Sequence, residues 1–332
     1  MNTCRLILAI GLLNCGPAVR GAAVPGTTSL TNSQVTYRTI KQHAVTLQRG
    51  PLTAVIVDND QAPLLLPQHR GGYNGIGRLQ HAERTSNVFV PAYAGLNFEH
   101  IHDGTLAVNR EKFEPRKNPM QIRIIDAHTV ELYQAPTRNW QLESCGRYHL
   151  LPDGTIEYTF ECIPRARSFR QDYIGLFWAS YIQSPTDRAI QFWGQTTTDQ
   201  RPQWIRAVSP RHGIDSTHPP ADHHARPAVD PDFPLTLVNH PSPYRYRSPW
   251  YFGVSHGMAL AYVFRSRDHV WFAQSPTGGG ARNPAWDFQW FVPKYEVGQA
   301  YGFVMRLVYT PFVDQPRLSK HISPHLQALN GR

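Results

Sequence analysis

An all-β fold of antiparallel strands is the reading that three features of the sequence support. The 332-residue chain carries 28 Pro and 24 Gly with only 17% charged residues, which suits many strands joined by irregular loops better than a helical bundle. Short runs of β-branched and aromatic residues recur along it, separated by Gly and Pro. At its centre, the stretch from Trp140 to Pro164 sets Asp153-Gly154 between two β-rich runs, the strongest short hairpin signal because both turn residues take φ > 0. With Pro152 and Thr155 flanking a two-residue turn, Leu151 faces Ile156 and His149 faces Tyr158. The same register sets Cys145 opposite Cys162 on a non-hydrogen-bonded pair, where Cα atoms approach to about 4.5 Å and a disulfide can close. A Cys145–Cys162 bridge is therefore expected.

Taken in order, the chain begins with Arg5 ahead of a short apolar run and then Gly21-Ala22-Ala23. Residues 1–23 read as a secretory signal peptide, too short for a membrane span. Cleavage near Ala23 is preferred to lipidation at Cys15, since Asn14 fits poorly the small residue that lipidation sites favour. A secreted or periplasmic location follows, in an oxidising compartment. Cleavage removes Cys4 and Cys15, and the loss of Arg5 and Arg20 lowers the formal charge from +9 to +7. No later run is apolar and long enough to cross a bilayer, and no Lys/Arg-dense run suggests nucleic acid. A monomer is expected. Residues 24–34 are expected to be disordered, 35–312 to form the β domain, and 313–332 to be a tail with a short helix before Pro324.

Within the domain, Ala44–Gln48 and Thr53–Asp58 read as strands parted by Arg49-Gly50-Pro51. The glycine-rich Gln68–Gly75 lacks the strand-then-helix setting of a phosphate loop and reads as a backbone-exposed loop. Gln121–Gln134 reads as a hairpin turning at Asp126-Ala127-His128, and Tyr173–Ile182 is apolar on both parities, as in a strand buried on two faces. From Thr196 to Pro249, Pro, His, Arg and Asp dominate around a strand at Gln203–Val208; loops of that length are functional or disordered. Strands resume at Met258–Phe264 and Val270–Ala273. A last long strand, Gln299–Tyr309, places Tyr301, Phe303, Met305, Leu307 and Tyr309 on one face.

This order of parts resembles the galactose mutarotase-like superfamily, whose large antiparallel β-supersandwich also serves glycoside hydrolases and polysaccharide lyases. The resemblance rests on the β meanders, on Tyr148–Phe160 with its Asp-Gly turn, and on Tyr295-Glu-Val-Gly-Gln-Ala-Tyr-Gly-Phe303, and covers roughly residues 35–312. Phe89–His100 and Ser275–Gly280 look like signatures of a narrower branch. The resemblance implies a supersandwich and a carbohydrate ligand in a concave groove. The catalytic histidine and late carboxylate of sugar mutarotases match no motif here, and the Tyr, His, Asn and Arg of the uronate lyases are present without diagnostic spacing.

Three stretches concentrate chemistry. In Asn97-Phe-Glu-His-Ile-His-Asp103, strand parity puts His100 and His102 on one side and Glu99 with Ile101 on the other. The two histidines suit acid–base work or metal chelation; the alternative is one histidine bonded to a loop and one solvated, and a metal needs a third ligand that the sequence does not identify. The loop from Arg211 to His224 holds four histidines and reads either as a substrate cover or as a mobile exposed loop. His218, stiffened by Pro219-Pro220, is its candidate. In Pro284–Trp290, Trp286, Phe288 and Trp290 alternate with Asp287 and Gln289, either as a sugar-stacking face with a carboxylate beside it or as a core strand.

Glu99, His100, His102, His218 and Asp287 are thus the candidate catalytic residues. Arg70, Tyr73, Asn74, Tyr93, Asn97, Trp286, Gln289 and Trp290 are the candidate sugar contacts, aromatics for C–H faces and polar groups for hydroxyls. A serine-triad motif, dinucleotide fingerprint and Cys-x-x-Cys ligands are absent, and the sequence identifies neither a cofactor nor a metal. Three functions stay open: His/carboxylate chemistry at a sugar carbon or glycosidic bond, a lyase on an acidic sugar with Arg neutralising the carboxylate and Tyr73 or a His as base, and a non-catalytic glycan-binding or cell-envelope protein. Arg70 and Arg84 near the first polar cluster favour an acidic saccharide.

Overall fold

A computed structural model describes residues 26–106, 111–222, 226–233, 241–278 and 280–331. The expected signal peptide, His223 and His224 lie outside the described residues. In chain order the first strands are β1 (Arg38–Thr39), β2 (Ala44–Arg49), β3 (Leu52–Val57), β4 (Gly75–His81) and β5 (Asn97–His102). A single-turn helix α1 (Glu114–Lys117) precedes β6 (Gln121–Asp126), β7 (Thr129–Gln134), β8 (Leu142–Leu150), β9 (Ile156–Pro164) and β10 (Tyr173–Ala179). Then come β11 (Ile190–Thr196), β12 (Gln203–Ala207), β13 (Thr217–His218), β14 (Tyr244–Tyr246) and β15 (Trp250–Ser255). The chain closes with β16 (Met258–Phe264), β17 (Trp271–Ser275), β18 (Ala285–Pro293), β19 (Tyr301–Pro311) and helix α2 (Gln315–Asn330).

The fold is all-β, with antiparallel strand pairing throughout the named sheets. One sheet of 11 strands runs β1-β6-β7-β8-β9-β19-β16-β15-β11-β12, with β14 added beside β11. A second runs β13-β17-β18-β10-β5, and a third β2-β3-β4. The first two stack face to face through aromatic side chains. Phe98 and Trp178 from the five-stranded sheet meet Phe160 and Phe303 from the large one at 4.8–5.1 Å between ring centroids. The long last strand behaves as its alternation predicts, with Tyr301, Phe303, Met305, Leu307 and Tyr309 all in this core. Its opposite face carries Val304 and Val308 against α2.

Helix α2 runs past the expected stop at Pro324. Leu318, Ile322, His325 and Leu329 recur on one buried face, and Pro324 is exposed, so packing on the large sheet outweighs one missing backbone hydrogen bond.

The central hairpin forms, but its register differs by one residue from the expected one. Leu150 pairs with Ile156, Ser144 with Cys162 and Cys145 with Glu161. The turn is a three-residue Pro152-Asp153-Gly154 loop, in which Gly154 N–H donates to Leu151 O at 3.0 Å and Leu151 N–H to Thr155 O at 2.8 Å. Gly154 takes φ +78°, and a Cβ there would lie 2.8 Å from Pro51 Cδ; glycine is required on both counts. Because side chains alternate, one residue of slip sends the two cysteines to opposite faces. Cys162 sits in the core between the sheets, whereas Cys145 lies on the far side among Glu131 and Thr28. Both are free, buried thiols, and the expected bridge is not formed.

On the far side of the large sheet, residues 26–34 of the segment expected to be disordered are ordered, while residues 24 and 25 lie outside the described residues. Residues 26–34 fold as successive turns over β7, β8 and β9, fastened to two carboxylates that are 0% exposed, Glu131 and Glu161. Glu161 accepts from Thr27 N–H at 2.9 Å and Thr28 N–H at 3.1 Å, and from the hydroxyls of Thr28 and Thr31. Glu131 accepts from Ser29 N–H at 3.0 Å and from Arg147 Nε at 2.8 Å. This strap supplies the donors that make two buried charges tolerable. Among the described residues no helix is long and apolar enough to cross a membrane.

Candidate functional site

The outer face of the five-stranded sheet, turned away from the core, carries a cluster of buried ionisable groups, Glu99, His100, His102 and Asp287. β5 forms one edge of that sheet and pairs with β10, with a register shift between Phe177 and Trp178. Phe177 pairs with His100 and Trp178 with Phe98, so Glu99 is the extra residue of a bulge. Bulges re-aim side chains, and this one overturns the strict alternation expected here. Phe98 and Ile101 both enter the core, while the Glu99 carboxylate turns to the outer face beside His100. There it accepts from Tyr181 OH at 2.6 Å, Asn97 Nδ2 at 3.1 Å and Arg116 Nη1 at 3.2 Å. His100 Nε2 lies 3.7 Å from Oε1, the oxygen that also takes Arg116.

Arg116 comes from α1, which packs over β5, and its guanidinium stacks 3.8 Å above the Tyr73 ring. Tyr73, Tyr93 and Tyr181 gather with centroids 4.5–5.6 Å apart, and all three are half-buried. Arg70 is exposed, 5.9 Å from the Tyr93 ring centre. The sequence reasoning missed Arg116, Tyr181 and the bulge. Tyr181 was visible only as part of an apolar strand, and Arg116 sits in a Glu-Pro-Arg-Lys turn that no motif distinguishes.

Asn74 has a structural task. Its side chain donates to Phe98 O and accepts from Phe98 N–H, both at 3.0 Å, and also donates to Asn59 Oδ1. It therefore imitates a neighbouring strand along the free edge of β5, and Asn97 Oδ1 accepts its backbone N–H at 3.1 Å.

His100 and His102 on β5 and Asp287 and Gln289 on β18 share the outer face, with β10 between the two strands. Gly175 opposes His102 in β10, and a Cβ there would lie 2.4 Å from the imidazole, so glycine is what lets this ring lie across the strand. His102 packs against Phe233 at 5.4 Å and Phe291 at 6.0 Å, under residues 226–233, which Tyr173 OH anchors by donating to Ala228 O at 2.9 Å. Both ring nitrogens of His102, both amide atoms of Gln289 and Nδ1 of His100 lack hydrogen-bond partners among the described residues. Buried polar atoms ordinarily find partners, so these offer hydrogen bonds to a polar ligand.

The remaining candidates point elsewhere. Trp286 and Trp290 are 0% and 4% exposed in the core between the sheets. Their alternation with Asp287 and Gln289 is as expected, but the aromatic side is the core side, so neither stacks on a ligand. His218 also faces the core, between Phe192 at 5.0 Å and Tyr244 at 6.1 Å, with Nδ1 2.6 Å from Ser242 Oγ. Burial holds its pKa down at about 3. It is a core histidine and does not join the others.

Burial sets the protonation of the site. It raises the Glu99 carboxyl above its ordinary range, against the opposing pull of Arg116, Tyr181 and Asn97. Asp287 is pushed well above its range by burial and then by the charge of Glu99, with Ser180 N–H and Ser275 OH opposing. His100 is held well below its ordinary value by burial and then by His102, and His102 drops to about 3 by burial and then Lys112. The arrangement thus sets two carboxyls of raised pKa on the same face as two imidazoles held neutral.

As for metals, among the described residues His100 and His102 gather no third ligand. Three ligand-type groups do meet elsewhere, His43, Asp58 and Asp60, with donor atoms within 4.8 Å of one another. The 3.0 Å contact of His43 Nδ1 with Asp58 Oδ2 already accounts for that cluster as a hydrogen-bonded pair.

No protein-family model and no curated protein matches the chain. Solved structures do align with it. A putative aldose 1-epimerase from Escherichia coli K12 aligns at TM-score 0.46 and 11% identity, covering 81% of this chain and 99% of that one. An α-N-acetylgalactosaminidase from Bifidobacterium bifidum, a quadruple mutant, aligns at TM-score 0.46 and 11% identity over 84% of this chain and 39% of its own. A heparan sulfate lyase mutant from Pedobacter heparinus aligns at TM-score 0.43 and 8% identity over 85% and 37%. The fold and the site stand on the strand pairing and residues described above.

Proposed function

We propose that this chain is a carbohydrate-active protein that holds a saccharide against Tyr73, Tyr93 and Tyr181, with Glu99 as the acid–base group at a sugar carbon or glycosidic bond. The observation that carries the reading is the Glu99 carboxylate itself. It is buried, raised toward protonation, and held by a tyrosine hydroxyl, a guanidinium and an amide beside three half-buried aromatic rings. Tyrosine faces suit sugar C–H faces, and fixed polar groups suit hydroxyls. A carboxyl whose protonated form is favoured by burial can give a proton and, once ionised, take one back.

Glu99→Gln keeps the shape and one acceptor but cannot exchange a proton. Against a panel of uronic-acid and neutral oligosaccharides, the variant should lose turnover by about 100-fold or more while still binding. Unchanged turnover and binding in a folded variant would remove Glu99 from the chemistry. Binding by the wild type without any turnover would leave a glycan-binding protein.

A second reading, a lyase on an acidic sugar, is favoured by the stacking of Arg116 on Tyr73, which sets a carboxylate-neutralising cation beside a tyrosine base. An unsaturated product would single it out. The proposal extends to a secreted or periplasmic location, because the basic residue, apolar run and small residues of 1–23 have the form of an export signal. An exported chain starting at Val24, read by N-terminal sequencing, is the expected result.

A further inference from the structure

At the opposite edge of the five-stranded sheet from Glu99, where β13 meets β14, three arginines surround one cavity. Pro220 bridges to Tyr246, Ala221 N–H donates to Tyr246 O at 2.8 Å, and Tyr246 N–H donates to Pro219 O at 3.1 Å, so the wall is fixed by backbone pairing. The cavity has a volume of about 570 Å³ and is lined by Arg226, Arg245, Arg247, Gln195 and Gln200 with a single carboxylate, Asp222. β5 lies four strands from β13 in the sheet order, about 19 Å at ordinary strand spacing.

Positive charge is in excess there, three guanidiniums to the one carboxylate of Asp222. Among the described residues none of the three guanidiniums forms an ion pair with a carboxylate, and the undescribed residues contain no Asp or Glu side chain. Two of the arginines are nevertheless held in place. Arg245 Nη1 donates to Ser242 O and Tyr244 O, both at 2.7 Å, leaving its other N–H groups free. Arg247 donates through Nε to Gln195 Oε1 and through Nη2 to Gln200 O. Among the described residues Arg226 has no hydrogen-bond or ion-pair partner, and the charged form of Arg245 is disfavoured by burial and then by Arg226 beside it. Three like charges gathered around one carboxylate cost stability, and an oxyanion would repay that cost with charge-assisted, forked hydrogen bonds.

We infer that this cavity is an oxyanion site, taking the carboxylate or sulfate of an acidic saccharide separately from the Glu99 site. The saccharide part rests on the function proposed above; the anion part does not.

Calorimetric titration of the chain from Val24 with inorganic sulfate, glucuronate and glucose tests both parts. Sulfate and glucuronate should bind and glucose should not bind at this cavity. Arg226→Gln should weaken both anions about tenfold or more, the worth of a hydrogen bond to a charged group. Its melting temperature should stay level or rise, because the variant relieves repulsion on Arg245. Glu99→Gln should leave sulfate affinity unchanged. Absence of sulfate binding, or sulfate binding indifferent to Arg226→Gln, overturns the site, as does a fall in melting temperature showing that Arg226 is structural. Arg226-dependent sulfate binding with no glucuronate binding supports the anion site and overturns its saccharide source. Glucuronate binding that depends on Glu99 and not on Arg226 overturns this site and leaves the proposed function standing.

Discussion

A chain truncated to begin at Asn32 should be less stable than one beginning at Val24 by roughly 2–4 kcal/mol, seen as an earlier denaturant midpoint. Each hydrogen bond to a charged group is worth about 1.5–3 kcal/mol, and Glu161 takes four from Thr27, Thr28 and Thr31. Water entering the exposed face replaces part of each, which is why the total falls well short of their sum. Glu161 is the sensitive group. Glu131 keeps Arg147 when the strap is gone, whereas every hydrogen bond described for Glu161 comes from the strap. Glu161→Gln should therefore be costly in the full chain, where an amide nitrogen would face N–H and O–H donors, and nearly neutral in the truncated one. That difference isolates the coupling. The strap also covers Cys145, whose thiol neighbours Thr28, so Cys145 should become reactive in the folded truncated chain and stay unreactive in the full one. Equal midpoints and equal thiol reactivity would show that residues 26–31 contribute nothing to the fold.

Where sequence reasoning succeeded and failed follows from what alternation can encode. Strand positions were legible because period-two runs bounded by Gly and Pro are local signals: Gln121–Gln134 is the hairpin of β6 and β7, and Met258–Phe264 is β16 as read. Register was not. Asp-Gly serves a two-residue turn and a three-residue turn with glycine at its last position equally well, and the choice between them moved Cys145 and Cys162 to opposite faces. At Pro284–Trp290 the alternation was correct but its sense was not, because both faces of β18 are buried and composition does not say which one meets the other sheet. The site depended on events without local signatures. A bulge turned Glu99 toward His100, and Arg116 and Tyr181 reached it from 17 and 82 residues away in sequence. The strap was misread because its residues are polar, and their partners are glutamates on distant strands.

Asp287→Asn should make the protein more stable at pH 8 and leave it nearly unchanged at pH 4. The carboxyl is 1% exposed, and in the folded state burial and then the charge of Glu99 push its pKa well above the ordinary value. The folded protein thus binds this proton more tightly than the unfolded chain, whose Asp titrates near 3.9. Stability from the protonated carboxyl is fully present below that value and is lost as pH rises through the folded pKa. An asparagine resembles the protonated form: its oxygen can still accept from Ser180 N–H and its nitrogen can donate to Ser275 Oγ, the two partners of the native side chain. Every factor of ten in proton affinity is worth about 1.4 kcal/mol, so the gain at pH 8 should be of that order or larger, and the variant's stability should vary less between pH 4 and pH 8. Glu99→Gln should act in the same direction, by removing its own raised carboxyl and the charge that disfavours ionised Asp287. Denaturant midpoints at pH 4, 6 and 8 for the wild type and both variants provide the measurement. If Asp287→Asn were destabilising by the same amount at all three, Asp287 would be an ordinary structural carboxylate and the coupled pair would not exist. A more stable variant that had also lost saccharide turnover would show the protein retaining a destabilising carboxyl for its chemistry.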